Sequence, residues 1–208
     1  VARDLIIGGP DDGTNAYTQY LKNEFTNSKN GIFTRGNLVT TIQSNTFNNI
    51  YQGVRCNRNY ENITINEENT FSETKFGVIL FNVRGDIVVD GNVFNDPGVG
   101  TINPSFYRTA ITVQNPVSSN RITNDVLITN NSISNYRIGI HGINSKMTGI
   151  IGNTITYTVE DPVKLANYHG GIWLQNCQGA FIAENIISNS IFMPDFSFRG
   201  IDIENSQS

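Results

Sequence analysis

Charged residues are scarce in this 208-residue chain, and long apolar runs are absent from it. Aspartate, glutamate, lysine and arginine make up 15% of the residues and the net charge is −4, so the chain lacks the clustered basic residues of a nucleic-acid surface. No apolar run approaches the roughly 20 residues that a membrane-spanning helix needs. We therefore expect no nucleic-acid partner and no insertion into a membrane.

Cysteine and histidine are equally scarce, with two of each. Cys56 and Cys177 are too few for a disulfide framework and have no zinc-binding spacing with the histidines. The glycine-rich calcium nonapeptide is absent, and so is a cluster of acids beside a basic residue of the kind that calcium-dependent lyases use. We therefore predict no bound metal and no cofactor.

The chain does contain a repeat, whose first element is Asn-x-Phe or Asn-x-Ile. The asparagines of this element are Asn23, Asn45, Asn69, Asn92, Asn131, Asn153 and Asn185. Successive members are 22, 24, 23, 39, 22 and 32 residues apart. An apolar pair such as Val88-Val89 precedes each asparagine, and a Gly-Ile or similar pair follows it. The second element is found at Gly31-Ile32, Gly53-Val54, Gly77-Val78, Ala110-Ile111, Gly139-Ile140, Gly171-Ile172 and Gly200-Ile201.

Each repeat thus holds three short apolar segments with period-2 alternation, and no segment has helical periodicity. A unit of this size cannot bury its apolar side chains alone and has to stack on copies of itself. The sequence therefore predicts an all-β fold, a right-handed parallel β-helix of about seven coils with three strands each. It would form a single domain over residues 1–208, with a partial N-terminal coil at residues 1–22. Because the last coil stops after one strand, we expect a piece of a longer protein.

The repeat assigns physical roles to its polar residues. Asparagines stacked at one corner can donate and accept along the axis as an amide ladder. A second ladder is predicted at Asn82, Asn115, Asn144, Asn176 and Asn205, with Arg58 interrupting the register in the first full coil. The glycine before each Ile suits a corner with positive φ. Cys56 and Cys177 fall on the second and sixth coils, too far apart for a disulfide, so both are predicted to be free thiols.

This pattern resembles the parallel β-helix repeat proteins, namely the pectin-lyase-like superfamily and its carbohydrate-binding and sugar-hydrolase repeat group. The resemblance covers about residues 15 to 205 and implies the fold. Members of the group include polysaccharide lyases, glycosidases, epimerases, tailspikes and adhesins, so the fold alone does not name the chemistry. It does favour an extracellular or cell-surface location and a polysaccharide or surface glycan as partner.

Three insertions lengthen the repeat, near residues 96–109, 156–170 and 188–199, and all three leave the same corner. Loops on one side of a rigid scaffold commonly carry binding sites. A shorter insertion near residues 116–120 leaves the opposite end of the same strand. Period 2 then predicts two outward columns between them. The first is Arg55, Ile79, Thr112, His141, Trp173 and Asp202, and the second is Asn57, Phe81, Gln114, Ile143, Gln175 and Glu204.

An exposed tryptophan between amides, a histidine and acids is typical of a sugar-binding surface. The candidate ligand-binding residues are Thr112, Gln114, His141, Trp173 and Gln175. Alternatively, a loop folds back and Trp173 packs beneath it. The candidate catalytic residues are His141, His169, Asp202 and Glu204, as general bases or as a carboxylate pair at i and i+2. Alternatively, none of the four is catalytic: the two acids are solvent-exposed at a strand edge, and the two histidines lie on the surface or pack against a loop.

Two functions stay open at this point. The first is a repeat domain of a secreted or surface protein that binds glycan or acts as a stiff spacer. The second is a polysaccharide-active enzyme, a lyase, glycosidase or epimerase, with its site on the outer face of the Gly-Ile sheet. An enzyme should gather at least two perturbed titratable groups on that face, whereas a spacer should not.

Overall fold

The computed structural model describes residues 4–8, 22–36, 39–59, 61–96, 108–116, 125–158, 169–190 and 198–206. Within these ranges there are 21 strands and no helix, and therefore no helix that could cross a membrane. The strands form three sheets of seven, and neighbouring strands are parallel throughout. We call these sheets A, B and C. Successive strands of the chain pass through the three sheets in turn, which confirms the predicted right-handed parallel β-helix.

Each sheet takes every third strand of the chain. The strands of sheet A are β1 (Asp4–Ile7), β4 (Val39–Gln43), β7 (Ile63–Asn66), β10 (Ile87–Asp90), β13 (Val126–Thr129), β16 (Gly149–Ile151) and β19 (Ile182–Ala183). The strands of sheet B are β2 (Glu24–Thr26), β5 (Thr46–Asn48), β8 (Thr70–Ser72), β11 (Val93–Asn95), β14 (Ser132–Ser134), β17 (Thr154–Tyr157) and β20 (Ile186–Asn189). The strands of sheet C are β3 (Asn30–Arg35), β6 (Gln52–Asn57), β9 (Phe76–Phe81), β12 (Thr109–Gln114), β15 (Ile138–Ile143), β18 (His169–Gln175) and β21 (Phe198–Glu204).

The period-2 alternation of the sequence separates core from surface on every sheet. On β7, for example, Ile63 and Ile65 are buried while Thr64 and Asn66 are partly exposed. The inward residues of all three sheets form one continuous apolar core along the axis. Burying an isoleucine side chain contributes about 1.5–3 kcal/mol, so the core is the main source of stability for coils that could not fold alone.

The phenylalanines of the Asn-x-Phe element form a stack inside the helix. Phe25, Phe47, Phe71 and Phe94 lie ring on ring, with centroids 5.0, 4.6 and 4.6 Å apart and planes within 8° of parallel. The stack ends at the coil that has Ile133 in place of phenylalanine. There the buried Tyr136 packs edge-on against Phe94, and its hydroxyl forms a hydrogen bond with the hydroxyl of Thr74.

This stack explains the repeated glycines of sheet C and corrects their predicted role. None of Gly31, Gly53 or Gly77 has positive φ. A Cβ atom at each would instead come within 2.6 Å of the phenylalanine ring of the next coil, and within 2.6–2.7 Å of a backbone carbonyl oxygen. The glycines are therefore required by the close approach of neighbouring coils.

The predicted amide ladder is confirmed. Asn45, Asn69, Asn92, Asn131 and Asn153 are at most 1% exposed, and each side-chain amide donates to the side-chain oxygen of the next asparagine at 2.9–3.1 Å. The same bond joins Asn23 to Asn45, so the ladder has seven members from Asn23 to Asn185. Each buried amide also donates to backbone carbonyls at the corner, as Asn92 does to Ile65 and Asp90.

The second predicted ladder is wrong. The side chains of Asn82, Asn115, Asn144, Asn176 and Asn205 make no hydrogen bonds to one another in the described structure, although Asn144 donates to the backbone of Asn115. Four of the five have φ between 49° and 53°, and Arg58 at the same corner has φ 55°. Asparagine recurs there because it tolerates the left-handed conformation. Asn115 is the exception, since it precedes Pro116, which disfavours helical backbone at the residue before it.

The insertions themselves lie largely outside the described residues, at 97–107, 159–168 and 191–197. Their attachment points are described. Each connects a strand of sheet B to the following strand of sheet C, so all three leave the same corner, as the spacing predicted. The fourth, at 117–124, connects sheet C to sheet A. Of the predicted N-terminal partial coil, residues 1–3 and 9–21 are also outside the described ranges, while β1 pairs with β4.

Candidate functional site

The outer face of sheet C carries the two columns that the sequence predicted. Strand register pairs Thr112 with His141, His141 with Trp173, and Trp173 with Asp202. It likewise pairs Gln114 with Ile143, Ile143 with Gln175, and Gln175 with Glu204. We call this surface, on strands β12, β15, β18 and β21, the upper face of sheet C. All of its side chains are partly exposed except that of Thr112, which is 9% exposed.

His141 and Trp173 form an aromatic stack at the centre of the upper face. Their ring centroids are 4.5 Å apart and their planes are 5° from parallel. Because β18 lies between β15 and β21, one face of the indole is covered by the imidazole and the other is turned towards the strand of Asp202. Trp173 is partly exposed, but with one ring face stacked on His141 its indole does not offer the open aromatic face that the sequence suggested.

Hydrogen bonds link this stack to the second column. The Nε2 atom of His141 lies 3.2 Å from the Oε1 atom of Gln175, and the Nε2 atom of Gln175 donates to the Oε2 atom of Glu204 at 2.9 Å. Burial lowers the pKa of His141 below its usual 6.5, and the bond to Gln175 and the charge of Glu204 only partly oppose this effect. The imidazole is therefore neutral at pH 7.

The two acids proposed as a carboxylate pair share the upper face but have separate partners. Asp202 accepts a hydrogen bond at 2.7 Å from Nη1 of Arg199, three residues earlier on the same strand. Glu204 accepts from Gln175, as described above. Each carboxylate therefore accepts a hydrogen bond from a different neighbour, and the two do not act on a shared partner. His169 begins β18, and its side chain lies outside the described part of the structure.

The lower half of sheet C has a different chemistry. Ile79 and Phe81 on β9 continue the two columns as a pair of apolar side chains. Below them, the guanidinium of Arg55 lies 6.0 Å from the centre of the Phe33 ring, and its Nη1 donates to Gln52 at 3.3 Å. The polar and aromatic candidates are thus concentrated on the upper face, next to the corner from which the insertions leave.

Sequence reasoning missed a group of buried basic residues at that corner. The residue immediately before the first residue of β9, β12 and β15 is basic in each case, namely Lys75, Arg108 and Arg137. Each of the three is at most 6% exposed. Arg108 forms a buried ion pair with Asp96, which joins the two ends of the first insertion. The ammonium of Lys75 lies 4.8 Å from the ring centre of Tyr51. A basic residue two positions before Gly77, Ala110 and Gly139 is the sequence pattern that would have found them.

The cysteines take no part in the upper face. Both are buried and free, as predicted, with Cys56 inside β6 and Cys177 at the corner after β18. Burial raises the pKa of Cys56 to about 11, despite a hydrogen bond to Thr34 that lowers it. Burial also raises the pKa of Cys177. Neither thiol is therefore a reactive nucleophile at neutral pH.

The described ranges contain no group of three or more His, Cys, Asp or Glu side chains that could hold a metal ion. The chain matches no protein-family model, no curated protein and no solved structure.

Proposed function

We propose that this chain is a glycan-binding repeat domain of a secreted or cell-surface protein, related in architecture to the pectin-lyase-like superfamily. Its ligand would lie on the upper face of sheet C. The observation that carries the proposal is the partly exposed His141–Trp173 stack, which is flanked by Gln175 and Glu204 in a continuous set of hydrogen bonds.

The chemistry of the upper face suits a carbohydrate. Sugars offer C–H groups to apolar side chains and hydroxyls to amides and carboxylates. Here Trp173 and Ile143 would supply apolar contacts, while Gln114, Gln175 and Glu204 would supply polar ones. All of these side chains stand on strands that are hydrogen-bonded on one or both sides, so little backbone conformational entropy would be lost on binding.

The arrangement also suits an extended ligand. Register repeats the same two outward positions on each successive strand of sheet C, about 4.8 Å apart along the axis. A polymer lying along the axis would contact several coils in turn. The three insertions leave the sheet B–sheet C corner at β12, β18 and β21, which are three of the four strands of the upper face.

A second candidate function is a polysaccharide-active enzyme. One observation favours it, namely the neutral imidazole of His141 beside a chain of hydrogen bonds ending at Glu204, since a neutral imidazole can act as a general base. Against it, Asp202 is bonded to Arg199 and Glu204 to Gln175, rather than facing each other across a gap for substrate.

Binding to a glycan array, followed by affinity measurement on the polysaccharides it identifies, tests the proposal. Trp173→Ala should reduce affinity at least tenfold, because buried aromatic contacts carry a large share of binding energy. Phe33→Ala is the matched control, since Phe33 occupies the same column at the far end of sheet C and is 51% exposed. The affinity of the Phe33→Ala variant should remain within twofold of that of the unmodified chain.

A reducing-end assay on the same polysaccharides separates the two candidate functions. If His141 is a general base, His141→Ala should lower the rate by about 10² or more with binding retained. If the chain only binds, no reducing ends should appear. Absence of binding to every glycan, or equal losses for Trp173→Ala and Phe33→Ala, would contradict a glycan site on the upper face and favour a spacer.

A further inference from the structure

We propose that the upper face of sheet C is also the docking surface for a second copy of this chain, and that the second copy and the glycan compete for it. Naming the glycan as the competitor rests on the proposed function, whereas the docking itself does not. The surface that docks is the outward side of strands β3, β6 and β9, which we call the lower face of sheet C. Its residues are Phe33, Arg35, Arg55, Asn57, Ile79 and Phe81.

The lower face is cationic and carries no acid. Neither Arg35 nor Arg55 forms an ion pair in the described structure, where the side chain of Arg55 donates a hydrogen bond only to Gln52. Arg35 is exposed, and Phe33 on the same strand is 51% exposed. A large exposed aromatic side chain next to unpaired guanidinium groups suits contact with a partner of opposite charge.

The upper face has that opposite charge. Its outward residues include Asp202 and Glu204 and no lysine or arginine. Arg199 lies on the same strand and is bonded to Asp202, so Glu204 carries the excess negative charge of the face. Both faces belong to one continuous sheet and cannot fold onto each other. A second copy of the chain can supply the matching face to each of them.

The strand order of sheet C allows a symmetric pair. The order is β3, β6, β9, β12, β15, β18 and β21, so β12 is the central strand. A two-fold axis parallel to β12 would place β3 of one copy opposite β21 of the other, β6 opposite β18, and β9 opposite β15. Rotation about such an axis keeps each position along the strand, so each outward column faces the same column of the second copy. Sheets pack face to face about 10 Å apart, within reach of these side chains.

The side chains that this axis brings opposite each other match in chemistry. In the second column, opposite charges, two amides and two apolar side chains meet. These pairs are Arg35 with Glu204, Asn57 with Gln175, and Phe81 with Ile143. In the first column Arg55 lies opposite Trp173, and arginine and tryptophan are enriched in protein interfaces. Each pair occurs twice, because the interface is isologous.

The attachment points of the insertions are compatible with this pairing. The connections that lead into β3, β6 and β9 are three residues long, whereas the insertions precede β12, β18 and β21. The axis places the starts of β18 and β21 opposite those of β6 and β3. Connections with insertions therefore face short connections of the second copy on these strands.

Sedimentation velocity of the 208-residue chain tests the docking. Because the paired faces are two side chains wide, we expect a weak dimer with a dissociation constant on the order of 10 μM. Arg35→Glu and Glu204→Arg each place like charges opposite each other twice per dimer, and each should weaken association at least tenfold. An equimolar mixture of these two variants regains both opposite-charge pairs and should dimerise as the unmodified chain does.

The matched control is Lys22→Glu. It makes the same change of charge as Arg35→Glu at an exposed residue between sheet A and sheet B, away from sheet C, and should leave the dimer unchanged. A chain that stays monomeric at every concentration would overturn the docking. So would a mixture of the Arg35→Glu and Glu204→Arg variants that does not regain the dimer, or an equal loss in Lys22→Glu.

Competition is measured with a polysaccharide that the glycan array identifies. It should dissociate the unmodified dimer and should bind the monomeric Arg35→Glu variant at least as tightly as the unmodified chain, since Arg35 lies outside the upper face. A polysaccharide that binds without dissociating the dimer would overturn the competition. If no glycan binds the Arg35→Glu variant, the proposed function and the competition fail together, while the mixture of variants still decides the docking.

Discussion

The side-chain oxygen of Asn131 accepts two hydrogen bonds from Asn92, one from its backbone N–H at 3.0 Å and one from its side-chain amide at 3.1 Å. The two residues are 39 apart in sequence, against 22 for Asn131 and Asn153, yet both pairs have the same geometry. The extra residues lie between sheet B and sheet C and between sheet C and sheet A. The ladder corner, between sheet A and sheet B, is therefore unaffected by the insertions.

Replacing Asn92 with leucine tests the energy of the ladder. The change removes a donor to the Ile65 carbonyl and the acceptor for the amide of Asn69, both fully buried. We expect the free energy of unfolding, measured in urea, to fall by about 1–3 kcal/mol. Asn48→Thr is the control, because Asn48 is exposed on the outer side of β5, and it should stay within about 0.5 kcal/mol. Equal effects would show that the ladder contributes no special stability.

Alanine at Gly77 tests the close approach of the coils. The added Cβ would lie 2.6 Å from both the Phe94 ring and the Ala110 carbonyl oxygen, so the unfolding free energy should fall by about 1–3 kcal/mol. Gly200 occupies the same repeat position on β21, where a Cβ meets nothing within 4 Å. Gly200→Ala should therefore change stability by no more than about 0.5 kcal/mol. A comparable loss in both variants would point to backbone conformation rather than packing.

The buried ion pair at the base of the first insertion should be essential for stability. Arg108→Met leaves the buried carboxylate of Asp96, whose side chain is 1% exposed, without its guanidinium partner and should cost about 3–5 kcal/mol. Lys146→Met breaks a pair with Asp125 whose side chains are 42% and 52% exposed, and its effect should be much smaller. Thermal denaturation monitored by circular dichroism compares the two. Similar decreases of the melting temperature in both variants would contradict a structural role for the buried pair.

The lowered pKa of His141 predicts a pH dependence of stability. Because the folded pKa lies below the unfolded value of about 6.5, the unfolded chain binds more protons between these two values. Stability should therefore fall as the pH drops through 6.5, and this loss should end below the folded pKa. Unfolding free energies between pH 7.5 and 5 should show a shallower fall for His141→Gln than for His169→Gln. An imidazole pKa above 6.5 for His141, measured by NMR, would reverse the expected sign.

The cysteines give a test of burial that needs no mutation. In the unfolded chain both thiols should react with a disulfide reagent, giving two equivalents. In the folded chain Cys56 should be unreactive at pH 8, since it is buried and its pKa is about 11. Rapid reaction of both thiols in the folded protein would indicate that the coil around β6 opens readily.

The sequence alone was sufficient to predict the fold, the coil register and the corner of the insertions. Asn45, Asn69 and Asn92 recur at nearly constant spacing, and a solenoid converts constant spacing into vertical stacking. Period 2 then assigns His141, Trp173 and Gln175 to one outer face without any knowledge of the coordinates. These predictions depend on periodicity along one chain, which the sequence displays directly.

The contacts between side chains of neighbouring coils were decided only by the tertiary structure. Gly77 is required by the ring of Phe94, 17 residues later, and Trp173 is covered on one face by His141, 32 residues earlier. Asn144 and Asn153 are the same residue type, yet one has left-handed backbone and the other donates within a ladder. Side-chain rotamers, the sign of the backbone φ angle and the distance between adjacent coils all follow from packing in three dimensions. Repeat spacing carries no information about them.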